Sequence, residues 1–122
     1  MANVLVVDDE APMRNMVTQM LQRDGHQVTT SDEGGAALDL MKTHRFDLVV
    51  LDVLMPGKDG IETTLAMKEQ YPDTKILVMS GGRRAISAEF NLSSASLLGA
   101  DASIQKPFDW NGLRGKLAEL LG

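Results

Sequence analysis

Apolar residues along this chain of 122 residues follow two periods in alternation. Residues 3–7 (Asn3, Val4, Leu5, Val6, Val7) and residues 46–52 (Phe46, Asp47, Leu48, Val49, Val50, Leu51, Asp52) form short apolar runs rich in β-branched side chains. Runs of this kind predict strands buried on both faces of a parallel sheet. Residues 75–80, from Lys75 to the hydroxyl of Ser80, predict a fourth strand, and residues 26–30 and 102–105 predict shorter second and fifth strands. Between the first two strands, Met13, Met16, Val17, Met20 and Leu21 recur at the spacing of a helix laid on a sheet. Pro12 is tolerated in its first turn and Gly25 is placed to end it. Ala36, Ala37, Leu40 and Met41 mark a second helix, capped by Asp32 or Ser31. Ile61, Leu65, Met67 and Lys68 mark a third, which stops before Pro72. A fourth helical region runs to Leu98 and Gly99 terminates it. Asp109 caps a last helix with Leu113, Leu117, Leu120 and Leu121 inward, in which Gly112 and Gly115 each cost roughly 0.5–1 kcal/mol relative to alanine.

Five βα units in succession predict an α/β fold, a doubly wound three-layer sandwich around a parallel sheet. Parallel strands end on one edge, and ligands of such folds bind beyond that edge, at the switch point between the first and third strands. Asp8, Asp9 and Glu10 follow the first strand and Asp52 ends the third. Ser80 and Lys106 end the fourth and fifth. Like charges crowded into one crevice repel, so three aspartates there are costly unless a cation or a reaction uses them.

Composition narrows the class. One domain is the expected count, spanning residues 1–122 with no further output domain. The 43% apolar content suits a globular protein with its own core. No apolar stretch approaches the ~20 residues of a membrane helix, no signal peptide is expected, and the cytoplasm is the simplest compartment. The absence of cysteine excludes disulfides and thiolate metal sites. A net charge of -5 argues against direct contact with nucleic acid.

The candidate chemistry follows from the donor types. Hard oxygen ligands in small number suit Mg²⁺, which keeps several waters and shares phosphate oxygens. With that charge present, one carboxylate can act as a nucleophile on phosphorus and form an aspartyl phosphate. Lys106 would neutralise one oxygen of the transferring group and Ser80 would donate a hydrogen bond to another, which is most of what phosphoryl transfer requires.

Four motifs now stand in order: Val7-Asp8-Asp9-Glu10 with Arg14; Asp52 through Met55-Pro56-Gly57-Lys58-Asp59-Gly60; Val78-Met79-Ser80-Gly81; and Lys106-Pro107-Phe108. Together they resemble the receiver domains of two-component response regulators, over the entire chain, most of all the stand-alone chemotaxis-type regulators. The resemblance implies a flavodoxin-like sheet with strand order 2-1-3-4-5. It implies phosphorylation of Asp52 by a histidine kinase or histidine phosphotransfer protein. It also implies Mg²⁺ held by Asp8, Asp9, Asp52 and the backbone carbonyl of Leu54, with Asp8 acting largely through water, and a cis peptide before Pro107. Output would pass to an unidentified protein target by phosphorylation-dependent docking, or onward through a relay, with no nucleic-acid or membrane partner.

Two features depart from the family pattern. Ser103 stands three residues before Lys106, where relatives usually carry Tyr or Phe as a conformational switch. The stretch from Ser80 to Gly99 is a few residues longer than in most relatives and carries Arg83 and Arg84. Two other functions share the fold. A flavin module would need a hydroxyl-rich phosphate loop where Asp8-Asp9-Glu10 stands, and an aspartyl-phosphate phosphatase typically shows Asp-x-Asp after the first strand. Met13, Met16 and Met20 read as core filler. His26 and His44 read as ordinary polar positions, and Trp110 as partial packing.

Overall fold

The computed structural model describes residues 2–52, 60–81 and 99–122, with Ile61, Ser80 and Gly81 described by backbone alone. Five strands are seen: β1 (Asn3–Val7), β2 (Gln27–Ser31), β3 (Leu48–Asp52), β4 (Lys75–Gly81) and β5 (Ala102–Lys106). The described helices are α1 (Ala11–Arg23), α2 (Gly34–Thr43), α3 (Gly60–Gln70) and, numbered in order here, α4 (Trp110–Leu121). All the pairings are parallel and the sheet order is β2-β1-β3-β4-β5, so this is the doubly wound, flavodoxin-like α/β architecture. The fourth helical region expected up to Leu98 and the turn expected around Pro56 fall outside the described residues.

Alternation along the strands divides the core in two. Leu5, Val7, Val49, Leu51, Ile76 and Val78 face Ala37 and Met41 of α2 and Met67 of α3. Val4, Val6, Leu48, Val50, Leu77, Met79 and Ile104 face Val17 and Leu21 of α1 and Leu113 and Leu117 of α4. The three central strands are buried on both sides, which is why their sequence is continuous rather than alternating. The edge strand β2, by contrast, is buried only at Ser31. Met13, Met16, Met20 and Trp110 pack partly buried against the second cluster.

Several boundaries differ from the sequence reading by one or two residues, each for a local reason. His26 stays outside β2 because its backbone N–H closes onto the Leu21 carbonyl at the end of α1, while its Nδ1 accepts the Ala2 N–H at 3.0 Å. The N-cap of α2 is Glu33, not Ser31 or Asp32: its carboxylate accepts the Ala36 N–H at 2.7 Å. Ser31 is still in the strand, and its hydroxyl is engaged with the Glu33 carbonyl at 2.9 Å. Residues 46 and 47 precede β3, with Phe46 buried and Asp47 joining the chain to Asn3 through its side chain and its N–H. Asp109 caps α4 as expected, through the Gly112 N–H at 2.9 Å.

At the opposite edge of the sheet from the strand C-termini, Lys68 on α3 ties three segments together. Its ammonium donates to the carbonyls of Pro72 and Thr74 and to Asp101 Oδ2, at 3.0–3.1 Å. Asp101 Oδ2 also accepts the Ile76 N–H at 2.8 Å, so one carboxylate aligns the starts of β4 and β5. Nearer the N-terminal ends of α2 and α3, the two helices approach closely. A Cβ placed on Gly34 would collide with the side chain of the buried Thr63.

Candidate functional site

Strand parity places the charged residues. Asp8 continues the series Val4 and Val6, Asp52 continues Leu48 and Val50, and Lys106 continues Ile104. All three therefore project toward the α1–α4 face, just past the last apolar layer and at the C-terminal edge of the sheet. Asp8 is fully buried, Asp52 is 4% exposed, and Asp9 and Glu10 are half-buried.

Asp8 is held on every side. Its N–H donates to the Ser31 carbonyl at 3.2 Å and its Oδ1 accepts the Glu10 N–H at 2.9 Å. Its carbonyl accepts from the Arg14 guanidinium at 2.7 Å. Asp8 thus stabilises the turn into α1, although the N-cap residue itself is Glu10. The Lys106 ammonium lies 3.1 Å from Asp8 Oδ2 and 3.2 Å from Asp52 Oδ2, bridging β5 to β1 and β3. Its side chain is 10% exposed. Burial alone would lower its pKa, but the Asp52 and Asp8 carboxylates and the hydrogen bonds to them prevail and hold the ammonium above its usual value.

One oxygen from each of Asp8, Asp9, Glu10 and Asp52 can be drawn within 4.8 Å of the others. An all-carboxylate donor set of this span fits a hard divalent cation such as Mg²⁺ and would not suit a soft metal. Of the sequence candidates, Asp8, Asp9, Asp52 and Lys106 are thereby brought together. The Ser80 hydroxyl and the Leu54 carbonyl lie outside what is described, although the Ser80 backbone stands beside Gln105 in the β4–β5 register. Glu10 joins the cluster without having been assigned a role from sequence; its adjacency to Asp9 was the available signal. The Lys106–Pro107 peptide is cis, as the resemblance implied. A mainly apolar cleft of about 430 Å³ opens beside Lys106, lined by Glu10, Pro12, Met13, Met16, Pro107 and Phe108.

Comparison with known proteins shows the family and the fold. The family pattern for the response regulator receiver domain matches residues 4–118. The chain belongs to the response regulator receiver family. Among relatives of this receiver, the chemotaxis protein CheY of Halobacterium salinarum is 31% identical, the alignment covering 97% of this chain and 95% of that protein. The alkaline phosphatase synthesis transcriptional regulatory protein PhoP of Bacillus subtilis is 34% identical over 97% of this chain, but the match covers 48% of PhoP. The receiver thus spans about half the length of several relatives that it matches. Among solved structures, chemotaxis protein CheY4 of Vibrio cholerae superposes with a TM-score of 0.87 at 34% identity, covering 98% of each chain. The receiver domain of NtrX from Brucella abortus gives 0.89 at 30% identity, covering 97% of each.

Proposed function

We propose that this receiver accepts a phosphoryl group on Asp52 from a histidine kinase or histidine phosphotransfer protein, in a reaction that needs Mg²⁺. The observation that carries this reading is the Lys106 ammonium bridging the Asp8 and Asp52 carboxylates inside a four-acid cluster. An Asp52 oxygen attacks phosphorus as the P–N bond of the donor phosphohistidine breaks, and the departing imidazole takes up a proton. Lys106 transfers its attention from the carboxylates to an oxygen of the incoming group, and the Ser80 hydroxyl donates to another. Asp8, Asp9, Asp52 and the Leu54 carbonyl would hold the Mg²⁺, which when bound offsets the charge gathered on carboxylate and phosphoryl oxygens. The apolar cleft beside Lys106 gives the donor a surface to approach over.

In this reading the protein is a signalling module, and its catalysis is confined to its own phosphorylation and dephosphorylation. Output passes to a protein target, or onward through a relay. The net charge of -5 favours protein partners over nucleic acid or a membrane surface for the receiver itself. Likeness to two CheY proteins over nearly their whole length supports a stand-alone regulator of that kind, for which the cytoplasm is the simplest compartment. The PhoP match is the observation that favours the other arrangement, a receiver attached to an output region. The chemistry at Asp52 is the same in both.

Incubation with a small acyl phosphate tests the reading. The wild type should take up one phosphoryl group with Mg²⁺ present and none after chelation, and Asp52→Asn should take up none. Uptake that is indifferent to Mg²⁺ or to the Asp52 substitution would overturn it.

A further inference from the structure

We propose that Arg14 is a positioning residue for the acid cluster, setting the plane of the Asp8–Asp9 peptide and through it the direction of the Asp9 carboxylate. The inference rests on the phosphoryl-acceptor reading and concerns how its Mg²⁺ site is shaped. Arg14 sits one turn inside α1, where its own N–H closes onto the Glu10 carbonyl at 3.0 Å. From there its Nη1 reaches back across the β1–α1 turn and donates to the Asp8 carbonyl at 2.7 Å, a short, charge-assisted hydrogen bond.

That carbonyl belongs to the peptide unit joining Asp8 to Asp9. The Asp8 side chain is fixed independently, by the Glu10 N–H at 2.9 Å and by Lys106 at 3.1 Å. The Asp8 N–H is fixed as well, on the β2 edge through Ser31. The Arg14 bond thus holds the carbonyl of the following peptide, and the Asp8 ψ angle that sets this carbonyl's direction also sets the direction in which Asp9 leaves the strand. Arg14 is itself braced. The Thr18 hydroxyl donates to its carbonyl at 2.7 Å, and its side chain lines an open cleft of about 530 Å³ together with Asp32 and Asp39. Two carboxylates around that cleft favour a permanently charged guanidinium there. Supports of this kind, behind the ligating groups, typically change metal affinity 10–100-fold.

The test is a calorimetric Mg²⁺ titration of wild type, Arg14→Met and Arg14→Lys, with urea midpoints measured on the same metal-free proteins. Arg14→Met should raise the half-saturating Mg²⁺ concentration about tenfold. Phosphoryl uptake from a small acyl phosphate at saturating Mg²⁺ should stay within about threefold of wild type. Arg14→Lys, whose ammonium can reach the same carbonyl, should recover part of the affinity. Half-saturation within twofold of wild type in Arg14→Met would overturn the inference, as would equal loss in both variants. If Arg14→Met unfolds, Arg14→Ala takes its place, with the same tenfold rise expected and half-saturation within twofold of wild type overturning the inference. Wild type that binds no Mg²⁺ would overturn the underlying reading as well.

Discussion

Replacing Lys106 by methionine keeps the aliphatic stem and removes the ammonium that bridges the Asp8 and Asp52 carboxylates. At an effective dielectric near 20, each contact is worth roughly 5 kcal/mol of Coulomb energy, from which desolvation of the ammonium subtracts several. Removing one partner of a buried ion pair typically costs about 3–5 kcal/mol, because the remaining charges are left without compensation. Asp8 keeps its hydrogen bond from the Glu10 N–H, which favours the lower end. We therefore expect Lys106→Met to lose about 3 kcal/mol at pH 7 without Mg²⁺, a fall in Tm of roughly 10 °C. Saturating Mg²⁺ should restore most of it, so the metal should stabilise the variant more than the wild type. Urea unfolding followed by circular dichroism, with and without Mg²⁺, measures both terms. A loss below about 0.5 kcal/mol in metal-free buffer, or an equal Mg²⁺ increment in both proteins, would refute the electrostatic account. The pH dependence has a definite sign. Because the folded-state pKa of Lys106 lies above its usual value, its stabilisation is complete below about pH 10.4 and disappears as pH rises through the higher folded value. The gap between wild type and Lys106→Met should therefore hold steady to about pH 10 and narrow beyond it.

Three other outcomes follow from the packing and the charges. Asp9→Asn should weaken Mg²⁺ binding and raise metal-free stability by roughly 1 kcal/mol through reduced repulsion, read from urea midpoints; an unchanged Mg²⁺ dependence would contradict it. Gly34→Ala should cost about 1–3 kcal/mol because its new methyl meets Thr63, and Thr63→Ala in the same protein should recover part of that cost. Lys68→Met should cost about 2 kcal/mol, since it strands the Asp101 carboxylate and two carbonyls at the edge of the sheet; a thermal midpoint within 2 °C of wild type would contradict it.

Much of this molecule was legible before any coordinates. Val4 to Val7 and Leu48 to Leu51 are apolar without interruption because both faces of the sheet are covered, and that pattern alone separates a parallel sheet from a half-exposed one. The period of two then carries Asp8, Asp52 and Lys106 to one face and one edge, so their meeting follows from where each strand ends. Less legible were features decided by single hydrogen bonds. Ser31, Asp32 and Glu33 are all competent caps, and the choice of Glu33 depends on how far β2 extends along β1. The link from Arg14 to the Asp8 carbonyl involves a side chain reaching backward over a turn, for which spacing gives no signal. Lys68 and Asp101 are 33 residues apart and meet only because α3 and the start of β5 converge. Ser103 stands opposite Val78 in the β4–β5 register.

The position of the phosphoryl group decides whether Asp52 is the acceptor. Reaction with a small acyl phosphate and Mg²⁺, reduction of the acyl phosphate by borohydride, and sequencing of the resulting peptides locate it directly. Homoserine at position 52, and nowhere else, is the predicted result. An unreduced Asp52 beside a modified Asp8, Asp9 or histidine would contradict it.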